Sequence, residues 1–275
     1  MKGKPGRVGK KRIDALLVER GLFETRQKAR AAVMAGEVLV GDEVAGKAGA
    51  LVAADCEVRV RCRARYVGRG GDKLARALEV FGIDPAGKRA IDVGASTGGF
   101  THCLLEAGAA SVHAVDVGYG QLALPLRNDP RVSVAERTNI RNVTPGDVPH
   151  AFDLAVIDVS FISLELVLPV VRELLAPGGR TIALVKPQFE VGKGKVGKGG
   201  VVRERGLHEE VLEKVVSFCG GAGLAALGAA ASPLRGPKGN IEFFLLIAKS
   251  GEAGRGSVSR EDIVGIVAAA HDSPG

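Results

Sequence analysis

The segment Gly94-Ala95-Ser96-Thr97-Gly98-Gly99-Phe100 follows the strand-like run RAIDV and opens a helical pattern. Glycines at such a junction let backbone N–H groups approach a ligand closely, and a helix start beneath them favours negative charge. A dinucleotide fingerprint, GxGxxG, needs glycine where Ser96 stands. A nucleophile elbow, GxSxG, matches residues 94–98 letter for letter. That elbow normally follows several strands, whereas this is the first clear strand of its domain. An S-adenosylmethionine site fits better. Asp116 ends the next strand, 22 positions after Gly94, and its carboxylate can accept both ribose hydroxyls of an adenosine lying over the loop. NAD could use the same acid. The zwitterionic tail of the sulfonium cofactor, however, needs no pyrophosphate cradle.

Three more residues stand where chemistry is commonly done. Asp158 and Lys186 end the strand-like segments LAVID and TIALVK, the edge at which open α/β sheets place ligands. Glu242 lies in the otherwise apolar run IEFFLLIA, and a carboxylate there needs a partner. A second glycine-rich segment, residues 192–200, nearly spells a phosphate-binding P-loop. Gly192, Gly197 and Lys198 fit, but Gly199 replaces the Ser or Thr that would hold magnesium. A mobile basic lid over a phosphate backbone and an ordinary flexible loop are the two readings left.

These residues require a sheet to hold them. From Lys88 onward RAIDV, SVHAVD, RVSVAE, FDLAVID and RTIALV read as strands, and segments near 99–107, 162–175 and 205–219 as helices. Such alternation predicts an α/β, Rossmann-like sheet, largely parallel, with helices on both faces. IEFFLLIA closely follows the Pro/Gly-rich stretch SPLRGPKGN, and a tight loop there predicts an antiparallel final hairpin. Arg260–Ala270 reads as a short amphipathic helix. Upstream, residues 1–11 read as a basic tail. Ile13, Leu16 and Leu17 recur at helical spacing with Gly21 as the stop. Thr25 is a candidate N-cap for a second helix, with Ala29, Ala32 and Val33 on one face and Gly36 ending it. VLVGDEV reads as a strand, turn and return, and CEVRVRC as a half-exposed strand. The predicted division is a small α+β unit over 1–62, a linker over 63–68, the sheet domain over 69–250 and a C-terminal extension over 251–275.

Charge is distributed unevenly between these parts. Residues 1–68 carry 15 Lys+Arg against 8 Asp+Glu, which is the whole +7 excess of the 275-residue chain. The remainder is neutral, so the small unit is expected to bind a polyanion. Aromatic residues are only 4% of the chain, which favours recognition of a nucleic acid by shape and backbone over base stacking. Cys56, Cys62, Cys103 and Cys219 form no CxxC pair, and the five histidines are scattered, so buried free thiols in a reducing cytoplasm and no metal site are expected. No run approaches the length that spans a bilayer, and the charged N-terminus lacks the apolar segment of a secretory signal.

The motifs GASTGGF, AVDVGYGQL, LRNDPRV, ERTN, DVSFISL, LVKPQFEVGKG and SPLRGPKGNIEFFL, in that order, closely resemble the TlyA family of ribosomal RNA 2′-O-methyltransferases, also labelled hemolysins. The resemblance covers roughly residues 12–270. It implies an alpha-L RNA-binding motif of the ribosomal-protein-S-four type at the N-terminus, and an FtsJ-like class I methyltransferase body whose sheet ends in an antiparallel hairpin. The family's Lys-Asp-Lys-Glu tetrad falls on Lys73, Asp158, Lys186 and Glu242. Its RNA-contacting basic residues fall on Arg12, Arg26, Lys47, Arg69, Arg137, Arg141 and Lys193. The cofactor, S-adenosylmethionine, is expected on Gly94, Ser96, Gly98, Gly99, Phe100, Asp116, Val117 and Asn139.

The implied reaction is methylation of a ribose 2′-hydroxyl, on cytidine in both ribosomal subunits, because residues 251–275 resemble the longer form of the family. In-line attack by the hydroxyl needs positioning and a destination for its proton. Lys186 is expected to be the base or orienting group. Lys73 is expected to be the neighbouring cation that contacts phosphate, with Asp158 and Glu242 holding both; either lysine can take the proton. The run Asp158-Val159-Ser160-Phe161 lacks the Asn/Asp-Pro-Pro-Tyr pattern of exocyclic-amine methylation. A ribosome-assembly factor without methyl transfer and a membrane-active hemolysin are the competing classes. The second is disfavoured because no long, strongly amphipathic basic helix is present. A cytoplasmic monomer is expected.

Overall fold

The computed structural model describes residues 9–34, 36–60, 65–192, 194, 196–197, 199–252 and 257–272. The chain divides into two compact units, Met1–Ala64 and Arg65–Gly275.

In the first unit β1 (Lys10–Arg12) runs directly into α1 (Ile13–Glu19), followed by α2 (Arg26–Met34), β2 (Val38–Val40), β3 (Glu43–Val44), β4 (Leu51–Ala53) and β5 (Val58–Val60). Helices this short are marginal alone. They are held by burying Ile13 and Leu17 against Ala29, Ala32 and Val33. Thr25 caps α2 as expected, its Oγ1 accepting from the Lys28 N–H at 3.2 Å. Strand β2 lies between β3 and β5, antiparallel to both. The basic tail expected over 1–11 is corrected at its end. Lys10 and Lys11 belong to β1 and pair with Ala53 and Val52 of β4, where the ladder satisfies their backbone groups. Cys62 lies outside the described residues.

The second unit contains α3 (Gly70–Phe81), β6 (Arg89–Val93), α4 (Gly99–Glu106), β7 (Ser111–Val115), α5 (Leu124–Arg127), β8 (Val132–Ala135), β9 (Phe152–Ile157), α6 (Leu168–Leu174), β10 (Leu175–Val185), α7 (Pro187–Glu190), α8 (Arg205–Gly221), β11 (Leu224–Ala231), β12 (Phe243–Lys249) and α9 (Arg260–Asp272). Its seven-stranded sheet has the order β11-β12-β10-β9-β6-β7-β8. The five strands from β10 to β8 are parallel, while β12 runs antiparallel to both β10 and β11. Both faces are covered, so the central strands are mostly apolar, with Asp92 of β6 and Thr181 of β10 as buried polar exceptions. Phe243, Leu245 and Ile247 of β12 join the core beneath α6, α8 and α9, while Phe244 and Leu246 join the core beneath α3 and α4.

Helix α3 was not evident from the sequence. Leu74, Ala77 and Leu78 form its buried face, and full burial of one such leucine contributes about 1.5–3 kcal/mol. The expected linker is shorter than 63–68, because Tyr66 is buried in the α3–α4 core with its ring edge on His102. The adjacent Val67 N–H donates to His102 Nδ1 at 3.1 Å.

Candidate active site

The chain proceeds from β6 outward to β7 and β8, then returns to the other side of β6 with β9 and β10. The crevice at the C-terminal ends of β6 and β9 is therefore the topological switch point, where open sheets bind ligands. Gly94 follows β6, Asp116 follows β7, Asp158 follows β9 and Lys186 follows β10. Gly94 has φ +87°, and a Cβ on it would stand 2.6 Å from the Asp158 carbonyl oxygen. Only glycine lets these two strand ends approach so closely. Ser96 adopts φ 50°, and its N–H donates to Asp116 Oδ2 at 2.8 Å. The Gly118 N–H donates to Asp116 Oδ1 at 2.6 Å. Asp116 thus fixes the glycine loop, and its two oxygens keep acceptor capacity for further donors.

Two adjoining cavities open here. The first, about 700 Å³, is lined by Gly94, Ser96, Asp116, Val117 and Asn139, with Ile140 and Ile162 as apolar wall. That size suits a small-molecule ligand, and an acid beside apolar walls suits a nucleoside. These residues fit S-adenosylmethionine. The second cavity, about 290 Å³, shares Gly94, Ser96, Asp158 and Ser160 with the first and brings Lys73, Asp158, Lys186 and Glu242 together. Gly99 and Phe100 line this second cavity, while Gly98 lines neither and packs on Leu122 and Leu126.

The four residues of the tetrad form two ion pairs. Lys73 Nζ lies 2.6 Å from Glu242 Oε2, both side chains buried. Lys186 Nζ lies 2.6 Å from Asp158 Oδ1 and donates to Ser160 Oγ at 2.9 Å. Glu242 Oε1 is buried and has no hydrogen-bond partner among the described residues. A Cβ on Gly236 would stand 2.0 Å from that oxygen, so a side chain there would displace the Glu242 carboxylate. Two lysine–carboxylate pairs beside a nucleoside-sized crevice can bind a hydroxyl, orient it and move its proton.

The basic residues divide between the units. Arg12 and Arg26 both bind Asp14, at 2.9 and 3.1 Å. Asp14 is fully buried, and the Arg12 hydrogen bond, helped by Arg26, holds its carboxyl down at about 2 against the opposing effect of burial. The two guanidinium groups stay about half exposed on one anchor. Lys47 is exposed between β3 and β4. Arg69 lines the second cavity and donates to the Arg235 carbonyl at 2.7 Å. Arg141 lines the first cavity, and Arg137 lies over the Tyr119 ring, 4.2 Å from its centroid. Lys193 lies outside the described residues.

Several residues of the site were missed from sequence. Phe161 is 90% exposed at φ 63° on the rim of the first cavity, with its ring 4.8 Å from that of Phe189. Tyr119 is also exposed. The low aromatic content therefore does not leave the site without stacking surfaces. Asp92 of β6 is fully buried, accepts from Thr101 Oγ1 at 2.6 Å and is pushed up to about 7, chiefly by burial. The available signal was the one that marked Glu242: an acid inside an apolar strand. For Ser160 and Phe161 it was their place just beyond the end of β9.

The fold and the crevice define a class I methyltransferase. The FtsJ-like methyltransferase family model matches residues 66–249, and the S4 domain model matches residues 11–57. The chain is 46% identical to the 16S/23S rRNA (cytidine-2′-O)-methyltransferase TlyA of Mycobacterium tuberculosis, over 92% of this chain and 95% of that one. It is 49% identical to YqxC of Bacillus subtilis, a candidate rRNA methyltransferase, over 95% and 94% of the two chains. A solved structure from Streptococcus thermophilus, described as a hemolysin, superposes with a TM-score of 0.74 at 43% identity, covering 96% of each chain. The chain belongs to the TlyA group of FtsJ-like methyltransferases.

No helix among the described residues is long and apolar enough to cross a membrane. Among the same residues no group of His, Cys, Asp and Glu could hold a metal ion.

Proposed function

We propose that the protein methylates a ribose 2′-hydroxyl of ribosomal RNA, on cytidine in both subunits, and acts as a cytoplasmic monomer. The observation that carries this reading is the convergence of Lys73, Asp158, Lys186 and Glu242 on one cavity beside the glycine loop. S-adenosylmethionine, when bound, supplies an electrophilic methyl group. Asp116, Ser96, Val117 and Asn139 would hold it in the larger cavity. Lys186, fixed between Asp158 and Ser160, aligns the hydroxyl and, as the neutral amine, receives its proton, and Asp158 balances the ammonium charge so formed. Lys73, fixed by Glu242, contributes positive charge where the RNA backbone enters.

Arg12, Arg26 and Lys47 of the basic unit, with Arg69, Arg137, Arg141 and Lys193 of the body, would contact phosphate. The experiment is transfer of a tritiated methyl group into ribosomal subunits from cells lacking the protein, with modified positions mapped by mass spectrometry. Methyl groups on ribose of a cytidine in each subunit support the reading. Label on a base, or none, overturns it, and leakage of liposomes without incorporation favours the hemolysin class.

A further inference from the structure

A third cavity, about 360 Å³, is lined by Val202, Arg203, Arg235, Lys238 and His271. Arg235 and its neighbours connect it to the tetrad, because the same residue lines the cavity holding Lys73 and Lys186. Three of these side chains are cationic, and among the described residues no carboxylate lines the space. Among the described residues Arg203 and Lys238 have no ionic partner, and both are exposed. Arg203 and Lys238, facing one concavity without ionic partners among the described residues, complement an anion.

The backbone presents these cations deliberately. Lys238 stands at φ 62°, a left-handed conformation that a lysine adopts at a cost and that is commonly retained at functional sites. Its turn is closed by the Gly236 N–H donating to the Asn240 carbonyl at 2.8 Å and the Gly239 N–H to the Gly236 carbonyl at 3.1 Å. Asn240 is buried. Its Oδ1 accepts from the Val202 N–H at 3.0 Å and its Nδ2 donates to the Gly200 carbonyl at 3.0 Å. One side chain therefore ties the segment carrying Arg203 to the turn carrying Lys238.

Resting on the function proposed above, we infer that this cavity binds a backbone phosphate of the substrate RNA, adjacent to the ribose that enters the tetrad cavity. A strand whose ribose reaches Lys186 must lead its phosphates along the rim, and Arg235 places this cluster on that path. None of Arg203, Arg235 and Lys238 is among the RNA-contacting positions implied by the family resemblance.

The test uses the full-length protein with Arg203→Gln and Lys238→Gly, the second chosen because glycine suits the left-handed backbone. Arg76→Ala removes a charge from the exposed face of α3 as a control. Binding to ribosomal RNA is measured across a salt series, beside the KM for RNA and the affinity for S-adenosylmethionine. Each cavity variant should flatten the slope of log affinity against log salt by about 0.7–1 and raise the KM for RNA about fivefold or more. Cofactor affinity should not change, Arg203→Lys should restore the slope, and Arg76→Ala should leave it intact. Wild-type slopes in Arg203→Gln and Lys238→Gly overturn the inference. If the wild type methylates ribosomal RNA in the same experiment, that result leaves the proposed function standing; if it does not, the proposed function itself falls.

Discussion

Lys73 and Glu242 are 169 positions apart in the chain, yet their charged atoms meet at 2.6 Å in a buried pair. Removing one member of such a pair strands the other. Lys73→Ala should therefore destabilise the protein by about 3–5 kcal/mol, read by urea unfolding. The double variant Lys73→Met with Glu242→Leu should recover most of that loss, since no charge is left buried alone. A loss in the double variant equal to the sum of the two single losses would show that the two groups are not coupled. Methyl transfer should be absent from both.

Lys186 is the second test. A guanidinium cannot accept a proton at ordinary pH, so Lys186→Arg should lower the transfer rate roughly 10²–10⁴-fold. Calorimetric affinity for S-adenosylmethionine should be nearly unchanged, because Lys186 lines only the smaller cavity. Near-normal turnover in Lys186→Arg would mean that the residue supplies positive charge alone.

Asp158, Lys186, Glu242 and the strands were legible from their residues, whereas Lys73 came only through the family resemblance. Apolar runs of β6, β9, β10 and β12 are buried on both faces and stand out without any partner being known. Helix α3, which carries Lys73, opens with Gly70 and Gly71, and paired glycines after a basic run read as a loop. Their use is tertiary: a Cβ on Gly71 would stand 2.2 Å from the Tyr66 ring. Strand β10 begins at Leu175 and runs through Pro177-Gly178-Gly179, with a register shift against β9, so its first half was hidden by residues that usually end strands. Asp14, which anchors Arg12 and Arg26, gave no local signal because its burial depends on the packing of α1 and α2.

Asp116 offers a third prediction. Because it bonds Ser96 and Gly118 backbone N–H groups, Asp116→Ala should loosen the glycine loop as well as remove an acceptor for the cofactor. Loss of a charged hydrogen-bonding group costs roughly 1.5–3 kcal/mol, so S-adenosylmethionine affinity should fall about 10- to 100-fold in titration calorimetry. Unchanged affinity would relocate the cofactor. Binding of NADH in its place would show that the crevice serves another ligand.

His208 and Asp92 should give opposing pH dependences. His208 is fully buried, and its Nδ1 lies 2.8 Å from His271 Nε2. Burial, reinforced by His271, pushes it down to about 4. An unfolded histidine titrates near 6.5, so the unfolded chain binds the extra proton in between, and stability contributed by neutral His208 falls as pH drops from about 6.5 to 4. Asp92, raised to about 7, binds its proton more tightly when folded, so its contribution falls as pH rises from about 4 to 7. Thermal unfolding of His208→Phe should lose the acid-side decline, and Asp92→Asn the opposite trend. Parallel curves for both variants and the wild type would exclude these two groups.

Strand β12 slots between β10 and β11, and Glu242 immediately precedes it. In terms of synthesis, the crevice is laid down before the tetrad is complete. By the time Lys186 is made, the glycine loop, Asp116, Asp158 and Lys73 have all been translated. Lys73 still lacks its counter-ion, and β10 still presents an unpaired edge. A nascent chain at that stage has an open sheet edge and three of the four tetrad residues. Competence arrives with the last strand, so a chain terminated before Glu242 lacks both the counter-ion of Lys73 and the strand that pairs β10.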